Sequence, residues 1–406
     1  MTYRFYKVLI TPLEYEGVYG TTIDVTQDID ITDFITQSGI SNVRKQFDNG
    51  DYDVGIFVFG DITLQCFNSG GKFNDPHDAR SIFKYKRDLA QIKVVHVAAD
   101  GTETVMFEGL LNEDGTRIDV DRNIVRLKVL SFDSIFDQVE VAGGAVGTGV
   151  NYSVAIKQIL NTTDITNVLN YDPSNINVDL DQAIDDGDFF TGKTVKSALD
   201  DLLFASNSIL YIDANKNIIV SDRTESSSLF TLYGDGDPLG RENIIKIKEY
   251  NSGIQRAFSS VKINDSEVSD EAYVSDYGFR QKSESPGFLN TPSKEKEIGN
   301  RILDEFKVPR LECEVTTGAE NLLGVELLDK VKIDHPLRVA PSNGQDNVPT
   351  VDTSVINETL MPKEFGSISI SPEILWKVTA IEHNIKNFTT TLRLRQAGKV
   401  YGQGYF

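Results

Sequence analysis

Cysteine is almost absent from this chain of 406 residues, which contains only Cys66 and Cys313. The two lie far apart, and neither has a cysteine or histidine partner at the spacing of a metal site. Both fall within segments whose residues alternate as in a strand. We therefore expect two buried free thiols rather than a disulfide framework or a zinc site.

Histidine is also scarce, and the common catalytic signatures are missing. The four histidines are dispersed, without the H-x-x-x-H or H-x-E spacing of metal ligands; they are His77, His96, His335 and His383. There is no G-x-S-x-G motif and no Cys–His signature, and no carboxylate pair stands out. The residues therefore give no catalytic, cofactor or metal site that we would assign, and the resemblance described below implies a protein that is not an enzyme.

Long apolar runs are missing as well. No segment approaches the roughly 18 consecutive apolar residues that a membrane helix needs. Residues 1–17 lack the apolar stretch of a signal peptide. We expect a soluble chain that is made in a cytoplasm and has no membrane segment.

Basic residues are outnumbered, with 40 Lys and Arg against 61 Asp and Glu and a formal charge of −21. A surface that grips phosphate backbones needs clustered cations, so this balance disfavours nucleic-acid binding. An acidic excess suits a protein that lines a passage for a polyanion, because acidic walls repel the polyanion and do not bind it. It also suits an exterior coated with charge for solubility, and the composition leaves both open.

Period-two alternation dominates both ends of the chain. The segments 92–98, 103–111 and 124–130 read as a meander, with Asp-Gly turns at 100–101 and 114–115. The end of the chain, Trp376–Arg395, reads as a hairpin with a turn at 383–387. On it we expect one apolar face, with Trp376, Val378 and Ala380, and one solvated or subunit-facing face with Arg393 and Arg395.

Two segments between these ends have helical periodicity. Apolar residues recur at helical spacing in Thr194–Ser206 and again at about 293–307, where Ser293 is the expected N-cap. Residues 341–375 are polar and rich in turn formers, which indicates an excursion from a β core. The predicted fold is mainly β with an α/β insertion (α+β): a tube-like β domain over 1–140, a mixed α/β domain over 150–240 and a second tube-like β domain over 241–406. The tube-like domains would be barrels or sandwiches.

One segment matches the P-loop pattern G-x4-G-K-[ST], through Gly187, Gly192, Lys193 and Thr194. In a P-loop, Lys193 would reach the outer phosphates and Thr194 would hold magnesium. The residues before Gly187 do not form a buried strand, and three aspartates nearby would repel a phosphate. We therefore interpret the segment as a structural glycine turn that leads into a helix.

The arrangement resembles the central hub proteins of bacteriophage tail tips and baseplates (tail hub or minor tail proteins). The resemblance rests on Phe107–Leu111 with its meander, on Gly192–Leu203 leading into Ser208–Asp213, and on Glu326–Ile333 followed by Trp376–His383. In that family, two tube-like β domains per subunit form a pseudo-six-fold ring from a trimer. Smaller α/β domains lie beside the ring.

The resemblance implies a structural virion protein that joins the tail tube or distal tail ring to the host-recognition apparatus. Its expected partners are copies of itself in a homotrimeric ring, the distal tail or tail tube protein, the tape measure protein, and a tail fibre or spike. Genome DNA would cross the ring without specific binding during ejection, and we expect an acidic or neutral channel wall. The location would be the tail tip of a virion assembled in the host cytoplasm. The alternatives are the distal tail ring protein itself and, from another class, a P-loop nucleotide-binding protein.

Overall fold

The computed structural model describes most of the chain. The described residues are 6–16, 23–25, 27–49, 54–83, 86–213, 216–222, 229–234, 239–251, 256–318, 322, 324–334 and 374–397. The predicted polar excursion at 341–375 therefore lies outside the described residues, except for its last two positions.

Strands predominate in the described part. They are β1 (Tyr6–Glu16), β2 (Ile23–Val25), β3 (Ile29–Asp30), β4 (Ile35–Ile40), β5 (Val43–Asn49), β6 (Val54–Phe59), β7 (Ile62–Phe67), β8 (Lys86–Val97), β9 (Glu103–Asp119), β10 (Ile124–Ser131), β11 (Ser208–Ile212), β12 (Ile218–Asp222), β13 (Leu229–Tyr233), β14 (Ile244–Asn251), β15 (Ser260–Ile263), β16 (Ser266–Ser269), β17 (Gln281–Glu284), β18 (Glu312–Gly318), β19 (Lys330–Asp334), β20 (Leu375–Asn384) and β21 (Thr389–Gln396). The helices are α1 (Ile135–Gln138), α2 (Tyr152–Leu160), α3 (Thr163–Thr166), α4 (Val195–Ser206), α5 (Glu271–Tyr277) and α6 (Pro292–Phe306).

The first sheet has the order β2-β1-β8-β9-β10-β7-β4, with β3 also paired to β1. Its alternating residues place one apolar row per strand in a shared core. On β10, for example, Val125, Leu127 and Val129 are fully buried, while Arg126 between them is exposed.

The second sheet runs β12-β11-β6-β5-β20-β21-β18-β14, and β13 and β19 attach to it beside β20. Its core surrounds the fully buried Trp376. Both large sheets curl into half-barrels, and the mainly β fold class is confirmed.

The hairpin β5–β6 belongs to the second sheet, although β4 before it and β7 after it in the chain belong to the first sheet. The chain leaves the second sheet after Phe59, at the end of β6, and enters the first sheet at Ile62, where β7 begins. β5 pairs with β20, with Gln46 opposite Ala380. The division into domains at 1–140, 150–240 and 241–406 stays a prediction, and this hairpin lies within the first of those ranges.

Five of the six helices described, all except α5, contribute to one shared hydrophobic core. One core cluster contains the buried faces of α2, α4 and α6 together with β11 and β12. The predicted helix at 194–206 is confirmed as α4. Thr194 caps α4, since its Oγ1 accepts from the Ser197 amide at 3.2 Å, and Asn207 ends it in the left-handed region at φ 53°.

Two local predictions are wrong. The N-cap of α6 is Thr291 and not Ser293, because Pro292 occupies the first helical position. Proline is tolerated there, since the N–H that it lacks has no partner within the helix at that position. Asp114-Gly115 is not a hairpin turn, since β9 continues to Asp119 before the chain reverses. There the register between β9 and β10 shifts, and Gly115 lies against Lys128 so closely that a Cβ would come within 2.5 Å of it.

Candidate assembly surface

The closing hairpin β20–β21 forms the middle of the second sheet, with β18 on one side and β5 on the other. Trp376, Lys377 and Val378 are all buried, so the strand does not alternate at its start. A bulge between Val378 and Ala380 then shifts the register, and Ile381 instead of Ala380 points into the core. The expected apolar row of Trp376, Val378 and Ala380 is therefore wrong at Ala380.

The face of this sheet away from its core carries a ladder of opposite charges. Glu314 on β18 lies between Lys248 on β14, at 3.1 Å, and Arg393 on β21, at 3.6 Å. Farther across the sheet, Arg44 on β5 lies 2.7 Å from Glu382 on β20. The cations are mostly exposed and each has a carboxylate partner, so the face is mixed in charge. We call it the ladder face.

One end of the ladder face is covered rather than solvated. Arg395 is 3% exposed, with its Nε 3.1 Å from Glu312 and its guanidinium over the ring of Phe306 at 5.9 Å. Lys377 is similarly buried, 3.7 Å from Glu305 of α6. The expectation of a solvated face is thus correct for Arg393 and wrong for Arg395, because α6 covers that end.

The tip of the hairpin joins the two sheets. Ile385 belongs to the core cluster of the first sheet, although it follows a strand of the second. The ring of Phe388 lies 5.0 Å from the ring of His96 on β8. His96 therefore has a packing role here, and the hairpin tip connects one half-barrel to the other.

Titratable groups cluster beside this joint. His383 shares a 2.9 Å hydrogen bond with the Thr390 hydroxyl. Burial lowers the pKa of His383 to about 4, and Lys45 and His96 act in the same direction. The Lys45 ammonium pairs with Glu326, yet burial lowers its pKa to about 8, with Asp329 opposing the shift.

Sequence reasoning did not find the contacts of β5 with β20. Asn42 and Glu382, which are hydrogen-bonded, are 340 residues apart. No short-range pattern links residues at such a separation. The alternation of each strand could only indicate that each has a partner.

The P-loop-like residues lie at the start of α4, away from the ladder face. Lys193 Nζ is 2.8 Å from Asp201 Oδ2 and 3.5 Å from the centroid of the Phe189 ring. Gly192 adopts φ +75°, and Gly187 packs so closely that a Cβ would lie 2.4 Å from the Val146 carbonyl oxygen.

The backbone of this segment also points its donors inward. Consecutive N–H groups, which a P-loop would direct at phosphates, donate to carbonyl oxygens of the chain; they belong to Phe190, Thr191, Gly192 and Lys193. The segment before Gly187 contains only an isolated bridge at Ala183 instead of a parallel strand. The geometry favours the structural interpretation, which stays a prediction until nucleotide binding is measured.

The two cysteines form neither a disulfide nor part of a metal-ligand group in the described ranges. Cys66 and Cys313 are buried and free, and burial raises the pKa of each to about 12. Within those ranges, no three His, Cys, Asp or Glu side chains come together as metal ligands. None of the helices described has the length and apolar character needed to cross a membrane.

Comparisons with known proteins find relatives in structure alone. No family model and no curated protein matches the sequence. The tail protein from Neisseria meningitidis MC58 superposes with a TM-score of 0.57 at 11% identity, over 97% of this chain and 96% of that one. The 43 kDa tail protein of prophage MuSo2 from Shewanella oneidensis gives 0.51 at 11% identity, over 96% of this chain and 97% of that one. The predicted resemblance is thus confirmed at the level of architecture, and the chain has the fold of phage tail proteins.

Proposed function

We propose that this chain is a non-enzymatic structural protein of a phage tail tip or baseplate, and that it forms the central hub there. The observation that carries the proposal is the fold, which matches two tail proteins over nearly the whole of both chains. The interfaces, not a catalytic centre, would then perform its work.

The two half-barrels support a hub over a distal tail ring. Each contains a run of four antiparallel strands, β8-β9-β10-β7 in one and β20-β21-β18-β14 in the other. Three copies would supply six such units around an axis, whereas a ring of single-unit subunits needs six copies. The hub would contact a distal tail or tail tube protein on one side and a tape measure protein and a fibre or spike on the other.

Copy number tests this assignment. Cryo-electron microscopy of the intact particle should show three copies of the chain at the tail tip, between the tube and the host-recognition apparatus. Six copies at the end of the tube would assign the chain to the distal ring instead. Absence of the chain from purified virions would overturn both the hub and the distal-ring assignment. It would also overturn the proposal that the chain is assembled into a virion in the host cytoplasm.

We also propose that the channel through this hub is acidic or neutral, so that genome DNA crosses it without binding. The ladder face would supply a wall whose positive charge is largely offset, since Arg44 pairs with Glu382 while Lys248 and Arg393 share Glu314. Basic walls would bind DNA through counterion release and retard it. A mapped channel lined mainly by Lys and Arg would contradict the proposal.

A further inference from the structure

The two large sheets end in strands of opposite charge. β14 closes the second sheet, and in the described part of the chain its only neighbour is β18. It presents Ile245, 62% exposed, next to the exposed Lys246 and Lys248. We call this strand the cationic edge.

An edge of the first sheet has the complementary character. β3 pairs with β1, its only neighbour among the strands described. Ile29 on β3 is 37% exposed, and the exposed Asp28 and Asp30 lie on either side of it. We call residues 28–30 the acidic edge.

One charged side chain in each edge is held by a neighbour before any partner arrives. Lys248 is fixed by Glu314 at 3.1 Å, and Asp30 accepts from the Thr32 amide at 2.9 Å. Preformed side chains lose less conformational freedom when a partner binds, which favours association. Each edge also has one exposed isoleucine, and part of its charge is already compensated, since Lys248 pairs with Glu314 and Asp28 lies 3.7 Å from Lys93.

The overall charge indicates what would bind there. Two copies of a chain with a net charge of −21 repel each other over most of their surfaces. A cationic edge on such a chain complements an acidic surface, and the same chain supplies one at its other sheet. Charged side chains also protect edges from unwanted pairing, which would explain Lys246 and Lys248 but not the exposed Ile245 beside them.

We propose that the cationic edge of one copy docks against the acidic edge of a second copy. This inference rests on the proposed function, because it names the contact by which hub copies join. The two surfaces differ, so the contact is heterologous, and repeating it closes a ring if the rotation between copies allows.

Two single-edge variants and their mixture test the contact. Ile245→Asp/Lys246→Glu disables the cationic edge, and Ile29→Lys disables the acidic edge. Each full-length variant should be a monomer by sedimentation velocity under conditions where the wild type is a closed oligomer. The mixture should form a dimer that contains one copy of each variant, because only one pair of intact edges remains. Val154→Asp/Lys296→Glu, on exposed helix surfaces, is the matched control and should keep the wild-type mass.

The outcomes separate this contact from the hub itself. Variants that keep the wild-type mass, or a mixture without a dimer, would overturn the contact and leave the hub proposal standing. A wild type that remains monomeric and is missing from the tail tip would overturn both. If either variant unfolds, the milder Lys246→Gln should weaken association at least about tenfold at low salt. An unchanged association constant there would also overturn the contact.

Discussion

Acid should loosen the joint between the two half-barrels through His383. Its ordinary pKa of 6.5 falls to about 4 in the folded chain, because the ring is buried and because Lys45 and His96 are near it. The unfolded chain therefore binds a proton first as the pH falls. With His383 neutral above its unfolded pKa, the folded chain keeps its full free energy of unfolding. That free energy falls as the pH drops from about 6.5 to about 4, because the unfolded chain gains a proton that the folded chain does not.

The size of the effect follows from the shift. One pKa unit corresponds to about 1.4 kcal/mol, so the full loss is about 3 kcal/mol, with about 2 kcal/mol already lost at about pH 5. Denaturant unfolding of the wild type and of His383→Gln should be compared at about pH 7.5 and about pH 5. Glutamine does not titrate, so the variant should gain about 2 kcal/mol on the wild type as the pH falls.

A matched control separates this effect from general acid denaturation. His77 is exposed, and His77→Gln should track the wild type at both pH values. Hydrogen exchange at Ile385, at the hairpin tip, should report the same loosening locally. Parallel pH profiles for the wild type and His383→Gln would refute the reasoning.

Two further substitutions test the interior. Lys193→Ala removes the ion pair with Asp201 and the contact with the Phe189 ring, and it should cost about 1 kcal/mol of unfolding free energy. Calorimetry with ATP and magnesium should show no binding to the wild type, and binding that disappears in the variant would revive the nucleotide-binding alternative. Gly109→Ala places a Cβ 2.2 Å from the backbone carbonyl oxygen of β10 and should lower the free energy of unfolding by more than about 2 kcal/mol. Gly318→Ala, where no atom of the described residues lies within 4 Å of the added carbon, is its control, and equal denaturation midpoints for both would contradict the packing argument.

Local elements of this fold are predictable because their causes are local. The 3.6-residue apolar period gives α4, and the two-residue period gives β10 with its buried Val125, Leu127 and Val129. The closing hairpin follows from the same alternation. In each case, the residues that decide the structure lie within a dozen positions of one another.

Features that depend on distant partners are not predictable in this way. The alternation of β20 does not show that a bulge after Val378 will exchange Ala380 for Ile381 in the core. Arg395 resembles a solvated residue in the sequence, but α6, which packs against β15 and β16, covers it. Asp114-Gly115 has the composition of a turn, but the pairing of β9 with β10 extends past it.

The candidate surface illustrates the same limit. The charged residues of the ladder face are visible in the sequence as scattered Lys, Arg and Glu. Their pairing depends on the order of five strands drawn from residues 44 to 393. The P-loop-like motif, in contrast, lies within eight consecutive residues and is recognisable in the sequence. Its backbone N–H groups at 190–193 donate to carbonyl oxygens of the chain.

The crossing of β5–β6 into the second sheet has a consequence for synthesis. Asn42, which immediately precedes β5, can form its hydrogen bond with Glu382 of β20 only after the ribosome has added a further 340 residues. At about 5–20 residues per second, a ribosome needs roughly 20 seconds or more to make the intervening chain. Throughout that interval β5 and β6 lack the strand that covers one of their edges, and unpaired edges favour aggregation. The second half-barrel is therefore completed only after its last hairpin has emerged, and a truncated N-terminal fragment would retain an exposed β-hairpin.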